Sequence, residues 1–190
     1  MSGRSVTSLA LTLVSLVLAG CGTPQPQDLR LEAVINVDRS EVRLWQRLIR
    51  EGFAVPQGLA FVFSTTDDFR AHPPKRPIPL DYANIHICED SWLIASGSVY
   101  NWPLKSRNAE PNRNEFVVIT SVSDSRRDVR QPNLIRSFDL RSNTKQVCLG
   151  IPGDAFSFNA SNQMRIDAST IQTALSGPPM KLPDLKPVEY

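Results

Sequence analysis

From Gly58 onward the apolar residues come in short runs of period two, and that pattern leaves little choice of architecture. Leu59, Phe61 and Phe63 fall on one face, as do Ile85 and Ile87, and then Trp92, Ile94 and Ser96. Phe116, Val118 and Thr120 follow, then Leu134, Phe138 and Leu140, then Val147, Leu149 and Ile151, and last Met164 and Ile166. Successive side chains of a strand point to opposite faces, so each run predicts a strand with one apolar face. The runs are short and separated by turn-rich stretches such as Asn108 to Asn114 and Gly153-Asp154. The predicted class is mainly β: a small antiparallel β-sandwich with one short helix and long proline-rich loops. No internal repeat is visible.

Proline sets the loops. Fifteen prolines stand against nine glycines in a chain that is 41% hydrophobic, a balance of stiff connections around a core rather than disorder. Ser64 to Asp81 holds Pro73, Pro74, Pro77 and Pro79 and is predicted to be a long stiff loop, since an interior strand cannot accept them. Four more prolines lie in 177–190, an extended tail that is either solvated or laid over the domain. Leu29 to Val37 predicts a strand with Leu31, Ala33, Ile35 and Val37 on one face. Val42, Trp45, Leu48 and Ile49 fall at helical spacing, with Asp38 or Ser40 as cap and Gly52 as terminator. A strand over 41–46 competes, because Val42 and Leu44 also alternate with charge. A second short helix is expected at Thr170 to Leu175, after a Ser169 cap.

The N-terminus has its own grammar. Arg4 precedes fourteen uncharged residues, Ser5 to Leu18, a stretch too short to anchor across a bilayer. Leu18-Ala19-Gly20-Cys21 then resembles the lipobox of bacterial lipoproteins. That resemblance implies cleavage after Gly20, a diacylglyceryl group on the Sγ of Cys21 and an acylated new N-terminus, which together give stable anchoring. An ordinary secretory signal is the plainer alternative. The expected organisation is a signal peptide at 1–20, a lipidated tether at 21–28, one β-rich domain at 29–176 and a proline-rich tail at 177–190. Gly22 stands where an aspartate usually retains such proteins at the inner membrane, so the implied address is the outer membrane, facing the periplasm.

In that oxidising compartment the two cysteines other than Cys21, namely Cys88 and Cys148, are expected to form a disulfide between neighbouring strands, off the main apolar face. Two buried free thiols are the alternative. The mature chain loses Arg4 from 21 basic residues against 19 acidic, leaving a net charge of +1, which does not suggest a nucleic-acid binder.

Catalysis finds few candidates. His72 and His86 are the only imidazoles, and no nucleophile elbow, zincin helix, phosphate loop or dinucleotide fingerprint occurs. His86, Cys88, Glu89 and Asp90 could be drawn as metal ligands, but a half-exposed strand histidine beside a disulfide is the simpler reading. No catalytic residue, metal or cofactor is expected. Between 126 and 145 six basic residues, among them Arg126, Arg127 and Arg130, face two acidic ones. They make a candidate patch for an acidic protein, a phosphate-bearing lipid or a cell-wall polymer, or else the solvated face of a hairpin. Trp92, Tyr100 and Trp102 read as sharing one strand face, as core or as an aromatic platform.

Asn84-Ile85-His86-Ile87-Cys88, then Val147-Cys148-Leu149 with Phe156 and Phe158 beyond, resemble type VI secretion immunity lipoproteins. That resemblance implies a membrane-anchored, non-catalytic module that binds and neutralises a periplasmic effector. Glu41 to Gln46 is similar instead to a strand of the lipoprotein anchoring the type VI membrane complex, which implies a structural accessory of an envelope-spanning secretion or pilus assembly.

Overall fold

Phe63 and Phe116 face each other across two paired strands, their rings stacked with centroids 5.7 Å apart, and the main core grows outward from that contact. The structure, a computed structural model, describes residues 28–38, 57–66, 82–104, 110–127, 133, 135–151, 163–182 and 185. Within them lie β1 (Arg30–Asp38), β2 (Gly58–Thr65), β3 (Tyr82–Ile87), β4 (Asp90–Asn101) and β5 (Asn114–Ser121). There follow β6 (Ser123–Arg127), β7 (Ile135–Asp139), β8 (Val147–Gly150), β9 (Met164–Ile166), helix α1 (Ala168–Ser176) and β10 (Met180–Lys181). The protein is mainly β, in two sheets, sandwich-like and mostly antiparallel.

The large sheet has the order β10-β1-β2-β5-β4-β3-β8-β9, and β6 and β7 pair as a separate hairpin. All these pairings are antiparallel save β1 with β10. One face of the sheet gathers the larger core: Leu59, Phe61 and Phe63 from β2, Phe116 and Val118 from β5, Ile85 from β3, Val147 and Leu149 from β8, and Met164 and Ile166 from β9. Ile171 of α1 completes it, and β9 comes round to approach β1. The alternation predicted at Leu59 to Phe63, Phe116 and Val118, Val147 to Ile151, and Met164 and Ile166 marks this face; the side chains of Trp92, Ile94, Ser96 and Leu134 lie outside what the structure describes.

The opposite face carries a second cluster, Val37, Ala60, Val62, Tyr100, Val117 and Ile119, covered by Leu182 and Leu185. Leu182 and Leu185 of the C-terminal segment are thus laid over the sheet. Each buried leucine there contributes roughly 2 kcal/mol by removal from water. With apolar contacts on both sides, β2 is buried at all eight positions.

Three expectations change. The β1–β2 register shifts between Leu31 and Ala33, so Leu31 packs on the larger core while Ala33, Ile35 and Val37 join the second cluster. A bulge adds one residue and flips the faces beyond it, which period-two counting misses. The same happens in β4, where Ile85 pairs Ala95 but His86 pairs Leu93. The alternation grouping Trp92 with Tyr100 and Trp102 is therefore interrupted. Ser64 and Thr65, read as loop, end β2.

Helix α1 begins at Ala168 behind Asp167 rather than behind Ser169. Asp167 accepts a hydrogen bond from Gln146 Nε2 at 2.7 Å instead of capping the helix with its side chain. Gln172 Nε2 donates to the Leu140 carbonyl at 2.8 Å, and Asn36 Nδ2 donates to that of Gly177 at 2.8 Å, which ties the middle of the helix to the turn after β7 and its C-terminal end to β1. The helix-or-strand alternatives at 39–52 and the proline-rich stretch at 67–81 lie outside the described residues.

Candidate functional site

The strand register gives the molecule two distinct ends. At one, Arg30 pairs Ser64 and Ser64 pairs Glu115; at the other, Val37 pairs Gly58 and Gly58 pairs Ser121. The chain enters the domain at the first end, and the basic hairpin leaves from the second.

Asp28 fixes the entry. Arg113, whose side chain is only 5% exposed, donates from Nη1 to Asp28 Oδ2 at 2.6 Å and from Nη2 to the Asp28 carbonyl. The same guanidinium donates from Nε to Ser64 Oγ at 2.8 Å and from Nη2 to the Ser64 carbonyl at 2.9 Å. Thr65 Oγ1 donates to Asp28 Oδ1 at 2.6 Å, the Thr66 amide donates to both carboxylate oxygens, and Ser64 Oγ donates to Glu32. Burial alone would raise the pKa of Asp28, but the hydrogen bonds from Thr65, Thr66 and Arg113 outweigh it and lower the value to about 2. An exposed pair, Arg30 with Glu110 at 2.9 Å, lies at the same end. Sequence patterning did not find this clamp, because Asp28 and Arg113 are 85 residues apart and each sits in a polar stretch.

At the second end, the Val122 amide donates to Gln57 and the Leu140 amide to Val122, at 3.1 and 2.9 Å. Val122 and Leu140 are both buried in the larger core, so the base of the hairpin is fixed to the sheet. Arg126 and Arg127 lie on β6 and Arg136 on β7, with Arg126 directly opposite Arg136. Arg130 lies outside the described residues. Arg141 is half-exposed and engaged with Asp139, through its amide at 2.9 Å and its Nη1 at 3.3 Å. Exposed Lys145 sits in the turn before β8, where Asn143 bonds its amide and its carbonyl. The structure thus brings five of the six basic residues of 126–145 to the hairpin and the turn that follows it.

The cysteines are at this end too. Cys88 and Cys148 form a disulfide with Cα atoms 4.9 Å apart. Cys148 is buried but belongs to neither apolar cluster, while its neighbours Val147 and Leu149 belong to the larger one. The bridge therefore lies off the main apolar face, as the alternation predicted. The Cys88 amide continues the β3–β8 ladder by donating to Gln146.

His86 is half-buried and directly opposite Cys148. Burial lowers its pKa and a hydrogen bond with Gln163 partly counters this. With Cys88 in the disulfide, the local run drawn as metal ligands loses its thiolate. Among the described residues no three His, Cys, Asp or Glu side chains are grouped to hold a metal ion. His72 lies outside the described residues. Tyr100 and Trp102 pack in and against the second cluster, so these two aromatics serve the core.

The chain matches no family model, no curated protein and no solved structure. Its functional reading rests on its own residues.

Proposed function

We propose that this chain is a lipoprotein acylated at Cys21 and held at the periplasmic face of the outer membrane, where it binds a protein partner without turnover. Its best-supported role is immunity: neutralising a periplasmic effector of type VI secretion. The lipobox-like Leu18 to Cys21 supports the anchor. The observation that carries the binding role is the separation of ends. Asp28 is locked at the end where the tether joins, and the Arg126–Arg136 hairpin springs from the other. Along β1, Arg30 to Val37 spans roughly 23 Å at strand rise. From Cys21 to Asp28 the tether takes seven residue steps and can reach no further than about 25 Å. A short leash at one end and basic residues at the other suit presentation of the hairpin to soluble proteins.

The address is tested by radioactive palmitate. Wild-type protein is expected to label and to fractionate with the outer membrane, and Cys21→Ala to do neither; unlabelled, soluble wild-type protein would refute it. The role is tested with the full-length protein as bait on envelope extract. Recovery of a single toxic effector supports immunity, and recovery of secretion-ring proteins supports the structural role instead. A His86→Ala variant that kept its fold and disulfide yet lost function would overturn the non-catalytic reading.

A further inference from the structure

Among the described residues two large apolar side chains are exposed, Leu104 at 48% and Met180 at 40%, and the strand register sends them to opposite ends of the sheet. Met180 pairs Val37, at the end away from the tether. Leu104 belongs to the other end. The Trp102 amide donates to the Glu115 carbonyl at 3.1 Å, Glu115 pairs Ser64, and Ser64 pairs Arg30. These four residues make one row across the sheet, and Arg113 ties that row to Asp28 through Ser64. Past the row the chain leaves β4 as Pro103 and Leu104, both exposed, while Trp102 packs against the second cluster and stays half-buried.

A lone exposed leucine would mean nothing. Here Trp102 and Pro103 extend it into a short apolar tip, and the tip stands at the end where the tether joins. Its nearness to a membrane rests on the acylation of Cys21 proposed above. A tether reaching no further than about 25 Å then holds this end, and not the Met180 end, against the bilayer. Among the described charges at this end, Asp28 is paired with Arg113 and Arg30 with Glu110, and Glu32 is bonded by Ser64. Charges already engaged lose less when a low-dielectric surface approaches. Tryptophan and leucine are side chains that the headgroup region accepts. One leucine and part of a tryptophan would not hold a free protein on a bilayer. On a short leash the same contact becomes intramolecular, at an effective concentration on the order of millimolar. We infer that Trp102, Pro103 and Leu104 form a second, non-covalent membrane contact, seated in the leaflet that carries the lipid anchor. The contact holds the domain upright, with Met180 and the hairpin base turned away from the lipid.

The test uses full-length lipidated protein reconstituted into vesicles of phosphatidylethanolamine and phosphatidylcholine. With Cys21 acylated and Cys88 bonded to Cys148, a cysteine introduced at position 104 or 180 is the only free thiol and takes an environment-sensitive fluorophore. The label on Leu104→Cys should shift to the blue on reconstitution. It should also be quenched at least twofold by lipids carrying a nitroxide high on the acyl chain. The label on Met180→Cys should show neither effect. Leu104→Asp, added to the Met180→Cys protein, should lower the anisotropy of that label on vesicles with lipidation and Tm unchanged, because the domain regains its freedom to swing. Equal quenching at the two positions would overturn the contact. So would a label at 104 that shifts to the blue without being quenched, since its cover would then be protein. Wild-type protein that fails to float with the vesicles overturns the anchor and the contact together. Protein that floats while the label at 104 stays unshifted and unquenched overturns the contact alone.

Discussion

Arg113 and Asp28 are 85 residues apart in the chain and 2.6 Å apart in the fold, and around them three chain segments become one end of the sheet. Arg113 bonds the start of β1 and the end of β2 from the turn that leads into β5. A guanidinium this buried is stable only while its donors are occupied.

Removing it should therefore hurt more than an exposed ion pair would. Arg113→Ala is expected to destabilise by about 2 kcal/mol, less than a fully buried pair because Asp28 retains some exposure. Asp28→Asn should be milder, and the double variant should fall well short of the sum. Chemical denaturation of the four proteins closes that cycle; additive effects would show the two residues to be energetically independent. Arg30→Ala, at the exposed pair beside it, should change stability by less than about 0.5 kcal/mol.

Acid should act in two stages. The pKa of His86 is lowered by burial, so the unfolded chain takes up its proton more readily. Stability should begin to fall as pH drops below the ordinary histidine value of 6.5. Asp28, lowered from 3.8 to about 2, contributes stability that is fully present above pH 3.8 and is lost between there and pH 2. Thermal melts from pH 7 to 2 should show both stages, with the lower one removed by Asp28→Asn and the upper by His86→Gln.

Gly97 should resist enlargement. A Cβ built there would lie 2.6 Å from Val118 Cγ1 and 2.7 Å from the Ile119 carbonyl oxygen, both on the neighbouring strand β5. Backbone cannot yield as a flexible side chain can, so Gly97→Ala is expected to destabilise by about 2 kcal/mol. Gly177→Ala, whose nearest contact would be 3.4 Å, should be nearly neutral. Comparing the two melts checks the argument; equal effects would remove it.

The disulfide closes a separation of 60 residues, for which chain-entropy reasoning gives about 4 kcal/mol. A non-reduced tryptic digest should yield the Cys88 and Cys148 peptides linked, and Cys88→Ala with Cys148→Ala should lower Tm by roughly 8–16 °C. Free thiols after periplasmic expression would contradict it.

Much of the β fold was legible because its larger core is built from unbroken alternation. Phe116 and Val118, Val147 and Leu149, and Met164 and Ile166 all face the interior that their spacing announced. The failures fall where alternation is broken by a register shift, at Leu31 and between Ile85 and His86. A bulge is one residue of extra chain, which leaves composition unchanged and inverts every face after it. The disulfide was legible from its flanking residues, since Val147 and Leu149 bracket Cys148 on the opposite side. The entry clamp was not, because nothing local joins Asp28 to Arg113. The basic residues at 126–145 could be counted from sequence, but only the strand register places Arg136 opposite Arg126.

The parallel pairing of Val37 and Asp38 with Met180 and Lys181 has a consequence for timing. β1 meets this neighbour only after every other strand of the sheet has been made. Until then one edge of β1 stays without β10, and Ala60, Val62 and Val117 lie uncovered by Leu182 and Leu185. Pairings this distant in sequence close slowly and late. Closure of this edge and covering of the second cluster are therefore expected to be late steps of folding.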